Sequence, residues 1–317
     1  MWNERQAELL GEEIEALLTP LSKVTGFYDL VREPLTKLKR GLAPNVTRDW
    51  PWPLIPLIVC EAICGRCEHA IPAAVALQLF LAAGDVFDDI EDTDSSESLS
   101  AKYGFAKATN VATTLLILAE KAITRLKDKG VEDSIIVSVM NTINSYYTTA
   151  CMGQHLDLSL NSEIPVSEET YLKIIEMKSA SQVECACKVG VLLARAKQEL
   201  VNIFAYFGHY LGLSSQIAND IQGFINGRAI SKNNISLPVV FALNQTDNKA
   251  FNKLRLLLHK STESTRNTEC VRELLFSTGA IQYATVKMEF YKQKARDILV
   301  KAEEAGASVE RLKLFLD

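Results

Sequence analysis

An acidic run at residues 84–94 holds the side chains of this sequence that are best suited to chemistry. Carboxylates at this spacing repel one another, so the pattern predicts a counter-charge close to them. Mg²⁺ suits this role because it is usually held by one or two carboxylates, several waters and the phosphates of a substrate. The alternative is a solvated acidic helix end that leads into a polar loop. Read as one helix, the run places four carboxylates on one face at i, i+3, i+4 and i+7, namely Asp85, Asp88, Asp89 and Asp92.

Two features elsewhere in the sequence favour the magnesium interpretation over the solvated helix end. An apolar stretch at 73–87 runs straight into the acidic run, so the carboxylates would end a buried helix. A second predicted helix, at 200–224, carries another polar face. The second face is formed by Gln216, Asn219, Asp220 and Gly223.

The helices that position these faces belong to a chain that reads as helical almost throughout. Apolar residues recur at i, i+3 and i+4, and no strongly alternating strand stands out. Ser167 is a good N-cap for the helix that follows it. The pattern predicts one all-α domain, residues 1–317, of about a dozen helices. The clearest helical segments are 8–18, 111–126, 133–147, 171–194, 200–224, 236–244, 267–276 and 282–305.

Composition narrows the possible functions and locations. The 317 residues are 48% hydrophobic and carry a net charge of -5, which gives no electrostatic support for binding nucleic acid. The first residues lack the apolar segment of a signal peptide, and apolar runs such as 112–119 are too short to span a bilayer. An odd number of cysteines, seven, without framework spacing suits a reducing cytosol. We therefore expect a cytoplasmic protein that is not integral to a membrane.

Three cysteines, Cys60, Cys64 and Cys67, could share one helix face. A metal site there is one interpretation, and buried small apolar residues are the favoured one. His69 lies too close to Cys67 in sequence for a recognisable zinc-finger pattern.

The polar motifs resemble those of the trans-isoprenyl diphosphate synthases, also called polyprenyl synthetases, in order and spacing. That family has D-D-x-x-D, then G-Q-x-x-D, then Lys-Thr, then F-G-x-x-x-G-x-x-x-Q-x-x-D-D. The corresponding segments here are Asp-Asp-Ile-Glu-Asp at 88–92, Gly-Gln-His-Leu-Asp at 153–157, Lys178-Ser179, and 207–220. A narrower resemblance, to the pheromone-modifying isoprenyl transferases of bacterial quorum sensing, rests on Asp85, 153–155, 282–283 and 291–294.

The resemblance implies an isoprenoid synthase bundle around a central cavity, assembled as a homodimer. In such enzymes Mg²⁺ neutralises an allylic diphosphate, the C–O bond ionises, and the prenyl cation joins an acceptor. It implies Asp88 and Asp92 as metal ligands supported by Asp89, with Asn219 and Asp220 on the opposite wall. Lys178 would contact the diphosphate; without the motif around it, this residue would be interpreted as a solvated helix lysine. The Ser179 carbonyl and Gln154 would face the cation, although Gln154 could equally be a satisfied amide.

The sequence departs from the family pattern at several positions. The second acidic motif begins with Asn219, and an amide binds Mg²⁺ less well than a carboxylate; its Asn-Asp start also partly resembles a terpene cyclase motif. Arg228 and Lys232 would stand in for a lysine-rich loop. For a second diphosphate, Arg48 is the cation at the right spacing, whereas Lys39-Arg40-Gly41 is an echo of the family pattern that would need an insertion. Few fixed cations would meet isopentenyl diphosphate, which argues against ordinary chain elongation.

The apolar helix before the acidic run also carries a prediction about donor length. In the family, bulky residues four and five positions before the first Asp close the prenyl tunnel. Here those residues are Gly84 and Ala83, so the tunnel would stay open down to Phe80, about 4.5–6 Å deeper. We expect a C15–C20 donor, with core packing as the alternative role of Phe80.

Three functions remain open from the sequence. The first is a prenyltransferase whose acceptor is isopentenyl diphosphate, a peptide side chain or a small aromatic molecule. The second is a terpene cyclase or lyase on the same fold. The third is a catalytically impaired regulatory subunit of a prenyl synthase.

Overall fold

The structure is a computed structural model that describes residues 4–37, 40–43, 52–92, 97–160, 166–225, 236–245, 254, 257 and 265–317. Within these residues every regular element is helical and no strand occurs, which confirms the predicted all-α class. The α-helices are α1 Glu4–Leu18, α2 Phe27–Arg32, α3 Ile55–Cys64, α4 Ile71–Asp92, α5 Leu99–Tyr103, α6 Phe105–Thr124, α7 Asp133–Leu158, α8 Glu168–Ile175, α9 Ser181–Leu193, α10 Gln198–Ile225, α11 Leu237–Leu243, α12 Thr265–Ser277, α13 Ala280–Glu304 and α14 Glu310–Lys313.

Two predicted helices differ from the observed ones in ways that matter for the site. Helix α7 continues past the predicted end at Tyr147 to Leu158, so the Gly-Gln-His-Leu-Asp segment is helical. The predicted helix at 171–194 is interrupted by a π-helical turn, Glu176–Ala180, between α8 and α9. As predicted, the Ser167 side chain caps α8 by accepting a hydrogen bond from the Thr170 backbone N–H at 3.1 Å.

Helix α4 is the central element of the larger core. Every residue from 71 to 80 is buried, and α4 packs against α1, α3, α6 and α9. The stretch Glu68–Glu91 is long and apolar enough to cross a bilayer, but 78% of its most apolar window is buried inside the protein, as in a core helix. A second, smaller core lies between α8, α10, α11, α12 and α13. Burial of these apolar faces holds the bundle together and fixes the two polar helix ends.

Glycines allow the helices around the π-helical turn to approach closely. A Cβ built on Gly212 of α10 would lie 2.5 Å from the Ala180 Cα, and one on Gly153 of α7 would lie 2.7 Å from the Lys178 backbone nitrogen. Larger residues at these two positions would push α7 and α10 away from the turn. The close packing therefore depends on the absence of a side chain at both sites.

The cysteine group lies at the end of α3. Cys60 and Cys67 are buried, whereas Cys64 is exposed. Burial raises the pKa of the Cys67 thiol to about 12 and that of Cys60 further still. The His69 Nε2 lies 3.0 Å from the Leu193 carbonyl oxygen, which occupies the ring nitrogen closest to Cys60. Cys60 and Cys67 thus behave as small core residues.

Candidate active site

The counter-charge predicted for the acidic face of α4 comes from cations of the chain itself. Arg40 Nε donates to Asp85 Oδ2 at 2.8 Å, and Lys37 Nζ donates to Asp89 Oδ2 at 3.0 Å. Burial raises the pKa of the Asp85 carboxyl, and the Arg40 guanidinium acts in the opposite direction. The acidic face therefore has protein cations on one side, close enough to offset the repulsion between its carboxylates.

The segment that carries Lys37 and Arg40 is held against α1 and α4. A Cβ on Gly41 would lie 2.6 Å from Ile14 Cδ1, and the Leu42 N–H donates to the Leu35 carbonyl at 3.0 Å. Sequence reasoning treated Lys39-Arg40-Gly41 as an echo that needed an insertion, and it did not select Lys37. The basic character of the segment was the signal that could have identified both cations.

Lys178 is the cation that connects three elements of the site. It lies in the π-helical turn, an irregularity that is frequent at functional sites. Its Nζ lies 2.9 Å from Asp88 Oδ1 of α4 and 3.1 Å from Asp157 Oδ2 of α7. Burial opposes its charge, but Asp88 and Asp157 more than compensate, and the pKa of Lys178 is raised. Lys178 is therefore protonated, half-buried and held beside the first acidic motif.

Asp157 is a site residue that sequence reasoning did not select, although it is the last residue of the G-Q-x-x-D motif. On the same face of α7, one turn earlier, Gln154 Nε2 donates to Glu91 Oε2 at 2.8 Å. Gln154 Oε1 is buried and accepts no hydrogen bond from the described part of the chain. An unpaired buried acceptor is costly, so this oxygen is suited to a ligand that is a donor or carries positive charge.

The second polar face differs from the prediction at Asp220. Its Oδ2 accepts hydrogen bonds from the Tyr171 hydroxyl at 2.6 Å and from the Leu237 N–H at 3.0 Å. Its Oδ1 accepts from Gln216 Nε2 at 3.0 Å. Burial raises the pKa of Asp220 to about 6, against the lowering effect of these three donors. The carboxylate is thus engaged by protein donors, whereas the sequence predicted a metal ligand; its neighbour Asn219 is exposed.

Ser179 is linked to this second face through its side chain. The Ser179 hydroxyl donates to Gln216 Oε1 at 2.9 Å, and Gln216 in turn donates to Asp220. Its neighbour Lys178 points the other way, toward α4 and α7. The π-helical turn therefore contacts both polar helix faces.

The sequence predicts that one face of α4 lines a prenyl pocket. Phe80 is buried and its ring packs on Tyr147 of α7 with centroids 4.7 Å apart. Gly84, one turn closer to Asp88, is exposed, and a Cβ built on it would meet nothing within 4 Å. Ala83 has no exposed surface, because it points into the packed core. Open space therefore lies in front of Gly84, whereas the sequence predicted that both Gly84 and Ala83 would line it.

Three predicted binding residues, Arg48, Arg228 and Lys232, lie outside the described residues. The same is true of the Asp92 side chain, although the backbone of Asp92 is the last residue of α4. Their roles remain predictions.

Comparison with known proteins identifies the family. The model of the polyprenyl synthetase family matches residues 53–275, which include the four motif segments at 88–92, 153–157, 178–179 and 207–220. The chain belongs to the polyprenyl synthetase family. It is therefore a prenyltransferase of that family, as predicted from the motifs.

Individual relatives and a solved structure agree with this assignment. The chain is 27% identical over 232 residues to the tryptophan prenyltransferase ComQ of Bacillus subtilis strain 168, covering 72% of this chain and 73% of ComQ. It is 30% identical over 230 residues to ComQ of Bacillus subtilis subsp. natto strain BEST195, covering 71% and 68%. The geranylgeranyl pyrophosphate synthetase structure from Pyrococcus horikoshii Ot3 superposes with a TM-score of 0.81 at 22% identity, covering 98% of this chain and 93% of that one. The last comparison confirms the isoprenoid synthase fold.

Proposed function

We propose that this protein is a Mg²⁺-dependent prenyltransferase that ionises a C15–C20 allylic diphosphate and transfers the prenyl group to an acceptor without a diphosphate. The observation that carries the proposal is the position of Lys178. A half-buried, protonated lysine lies between the first acidic motif and Asp157 of α7, and one turn before Asp157 the same helix carries the unpaired amide oxygen of Gln154. The Lys178 ammonium group would bind the negatively charged diphosphate. The Gln154 amide oxygen would stabilise the positive charge that develops on the allylic carbon.

The donor set on α4 fits Mg²⁺. Asp88 and Asp92 are one turn apart on α4, and hard carboxylate oxygens are the ligands that Mg²⁺ prefers. Asp88 is partly solvent-accessible, with 40% of its side chain exposed, so a hydrated ion can approach it. Asp88 and Asp92 would hold the metal with Asp89 nearby, and bound Mg²⁺ would neutralise the charge of the leaving diphosphate.

The residues of this chain would perform the remaining work. Lys178 would donate hydrogen bonds to diphosphate oxygens as a point charge. Gln154 Oε1 and the Ser179 carbonyl would direct their negative ends toward the allylic carbon, where positive charge develops. The C–O bond breaks with both electrons leaving on the diphosphate, the acceptor's π electrons form the new C–C bond, and one proton leaves the acceptor.

The acceptor that we favour is the side chain of a tryptophan in a peptide. The ComQ relatives are named tryptophan prenyltransferases, which supports an indole acceptor. Besides Lys178, the described cations that contact the acidic face are Lys37 and Arg40, and they are already paired with Asp89 and Asp85. A second diphosphate would have to displace these carboxylates, and that argues against isopentenyl diphosphate.

The proposed donor length is supported by the open space in front of Gly84. Phe80 lies eight residues before Asp88, about 12 Å along the helix. Its tilted ring contact with Tyr147, with centroids 4.7 Å apart, supports a closed end formed by two helices. A chain of three or four isoprene units would fill this space with some bending.

One assay tests these proposals together. Pure protein is incubated with Mg²⁺ and one of three donors: geranyl, farnesyl or geranylgeranyl diphosphate. Each donor is tested with a tryptophan-containing peptide, with isopentenyl diphosphate, and without any acceptor. The products are identified by mass spectrometry. We expect peptide mass gains of the prenyl group, largest with the C15 or C20 donor. A longer diphosphate would instead indicate chain elongation, and a hydrocarbon or prenyl alcohol formed without acceptor would indicate a cyclase or lyase. Absence of turnover would favour a regulatory subunit.

We also propose a cytoplasmic location, which the absence of disulfides among the described cysteines supports.

A further inference from the structure

The second acidic motif is poorly suited to bind metal, and we propose that Asp220 is a positioning residue that fixes the π-helical turn carrying Lys178 and Ser179. The inference rests on the proposed function only in that this turn is part of the active site. It concerns which wall of the site supplies metal ligands: in this protein the carboxylates of α4 do so, and Asp220 does not.

The two oxygens of Asp220 are occupied by three donors. Tyr171 and the Leu237 N–H share Oδ2, and Gln216 Nε2 binds Oδ1. These donors come from α8, from the start of α11 and from α10. A carboxylate that turned toward a metal would leave a hydroxyl, a backbone N–H and an amide without their acceptor, which is unfavourable at buried positions.

The neighbours of Asp220 offer little to a metal in its place. Asn219 presents an amide, a weaker ligand for Mg²⁺ than a carboxylate. The last position of the motif is Gly223, which has no side chain. Among the described residues of this motif, therefore, Asp220 supplies the only carboxylate, and protein donors engage both of its oxygens.

Asp220 holds the π-helical turn from both sides. Tyr171 lies on α8, which leads into the turn, and Gln216 connects Asp220 to the Ser179 hydroxyl within the turn. Gly212, one turn before Gln216 on α10, lets the same helix approach Ala180. The hydrogen bonds and the close helix packing act on the same five residues, Glu176–Ala180. Their common effect is to keep Lys178 between Asp88 and Asp157.

The Asp220→Asn variant separates the two roles. Its Oδ1 can replace Oδ2 as acceptor for Tyr171 and Leu237, and its Nδ2 can donate to Gln216 if the Gln216 amide reverses. The reversed amide then donates to the Ser179 hydroxyl, which can act as donor or acceptor. Asp220→Asn thus keeps the network and loses the negative charge, whereas Asp220→Ala loses both.

The first experiment measures thermal unfolding in a chelator, without metal or substrate. We expect Asp220→Ala to lower the unfolding midpoint by about 5 °C or more, and Asp220→Asn to restore most of that loss. Asp128→Ala is the control, since it removes an exposed carboxylate in the turn between α6 and α7 and should change the midpoint little. A midpoint of Asp220→Ala that equals or exceeds the wild-type value would overturn the positioning role. If Asp220→Ala does not fold, the stability of Asp220→Asn decides the question.

The second experiment measures inorganic pyrophosphate binding by calorimetry as a function of Mg²⁺ concentration. We expect the Mg²⁺ midpoint of Asp220→Asn to stay within twofold of wild type, and that of Asp88→Asn to rise at least tenfold. An equal rise in both variants would show that Asp220 is a metal ligand and would refute the inference. If the wild-type protein binds no pyrophosphate at any Mg²⁺ concentration, the proposed function fails, while the unfolding experiment still decides the role of Asp220.

Discussion

At the scale of single residues, the site depends on how carboxylates and cations are paired. Asp85, Asp88 and Asp89 lie on one helix face, and each has a cation of the chain within 3.0 Å. The exposed fraction distinguishes them: Asp88 is the most accessible of the three. Asp88 is therefore the carboxylate of this group that can most easily exchange a protein cation for a metal ion.

Replacement of Asp88 by Asn should abolish Mg²⁺-dependent binding of a prenyl diphosphate. The variant removes the charge that attracts the ion while keeping the shape of the side chain. Calorimetric titration of the wild-type and variant proteins with farnesyl diphosphate and Mg²⁺ tests this. The control is Asp133→Asn, an exposed charge at the start of α7. Equal Mg²⁺-diphosphate affinity in Asp88→Asn and wild type would mean that the metal binds elsewhere.

Asn219→Asp should lower the Mg²⁺ concentration needed for activity. The residue is exposed next to Asp220, and a carboxylate there would add a ligand on the wall opposite α4. The prediction is measured as the Mg²⁺ concentration that gives half-maximal product formation. Asn202→Asp, near the other end of α10, controls for added charge alone. An unchanged or higher Mg²⁺ requirement in Asn219→Asp would indicate that this residue does not face the metal.

At the scale of elements, the π-helical turn and its neighbours decide where the candidate catalytic groups lie. Within and after the turn, the side chains of Ser181 and Gln182 donate to the carbonyls of Met177 and Lys178 at 2.6 Å each. Helices α7 and α10 reach the turn through glycines. Geometry of this kind tolerates little added volume.

Gly212→Ala tests the tight packing at the turn. The new Cβ would lie 2.5 Å from the Ala180 Cα, so the helices must separate, at a cost of about 1–3 kcal/mol. We expect lower stability in urea unfolding and a lower kcat, because Lys178 and Ser179 move with the turn. Gly11→Ala in α1 is the control, since its nearest contact, Leu42 Cδ2, is an ordinary 3.8 Å away. Wild-type stability in Gly212→Ala would mean that α10 does not pack tightly against Ala180 of the turn.

A Phe at position 84 should shorten the prenyl pocket, and a Phe at position 83 should not. Gly84→Phe places a ring in open space, so the preferred donor should shift from C15–C20 toward C10 in competition assays. Ala83→Phe overfills the core, so it should lose about 1–3 kcal/mol of stability and keep its donor ranking. An unchanged ranking in Gly84→Phe would place the prenyl chain along another face.

At the scale of the whole molecule, the surface carries apolar side chains that a single chain leaves uncovered. Ile117 of α6 is 63% exposed and Val137 of α7 is 49% exposed. Scattered exposed residues are common on monomers, and contiguous apolar surface marks an interface. We propose a homodimer on the family resemblance, with α6 and α7 as helices whose exposed apolar side chains it would cover.

The homodimer is tested by light scattering at micromolar protein concentration. We expect a mass twice the 35.1 kDa of the chain, because burial of the exposed apolar surface favours association. The measurement is repeated over a tenfold dilution to separate a stable dimer from weak self-association. A mass of one chain at every concentration would exclude the dimer.

The sequence by itself determined the helical class, the acidic face of α4 and the order of the motifs. Each of these depends on residues a few positions apart: the 3.6-residue period, the i, i+4 spacing of Asp85 and Asp89, and the capping of α8 by Ser167. The spacing of neighbouring residues is given directly by the sequence, so these features can be predicted without knowing the fold. Lys178 and Gln154 were identified through the resemblance of their motifs to those of the family.

Only the tertiary structure decided which groups meet across the bundle. The pairing of Arg40 with Asp85 spans 45 residues and that of Tyr171 with Asp220 spans 49. Ala83 and Gly84 are neighbours in the sequence, yet one points into the core and the other into open space because α4 is surrounded by other helices. Contacts of this kind depend on how helices pack, and a hydrophobic pattern gives the buried face of a helix but not its partners.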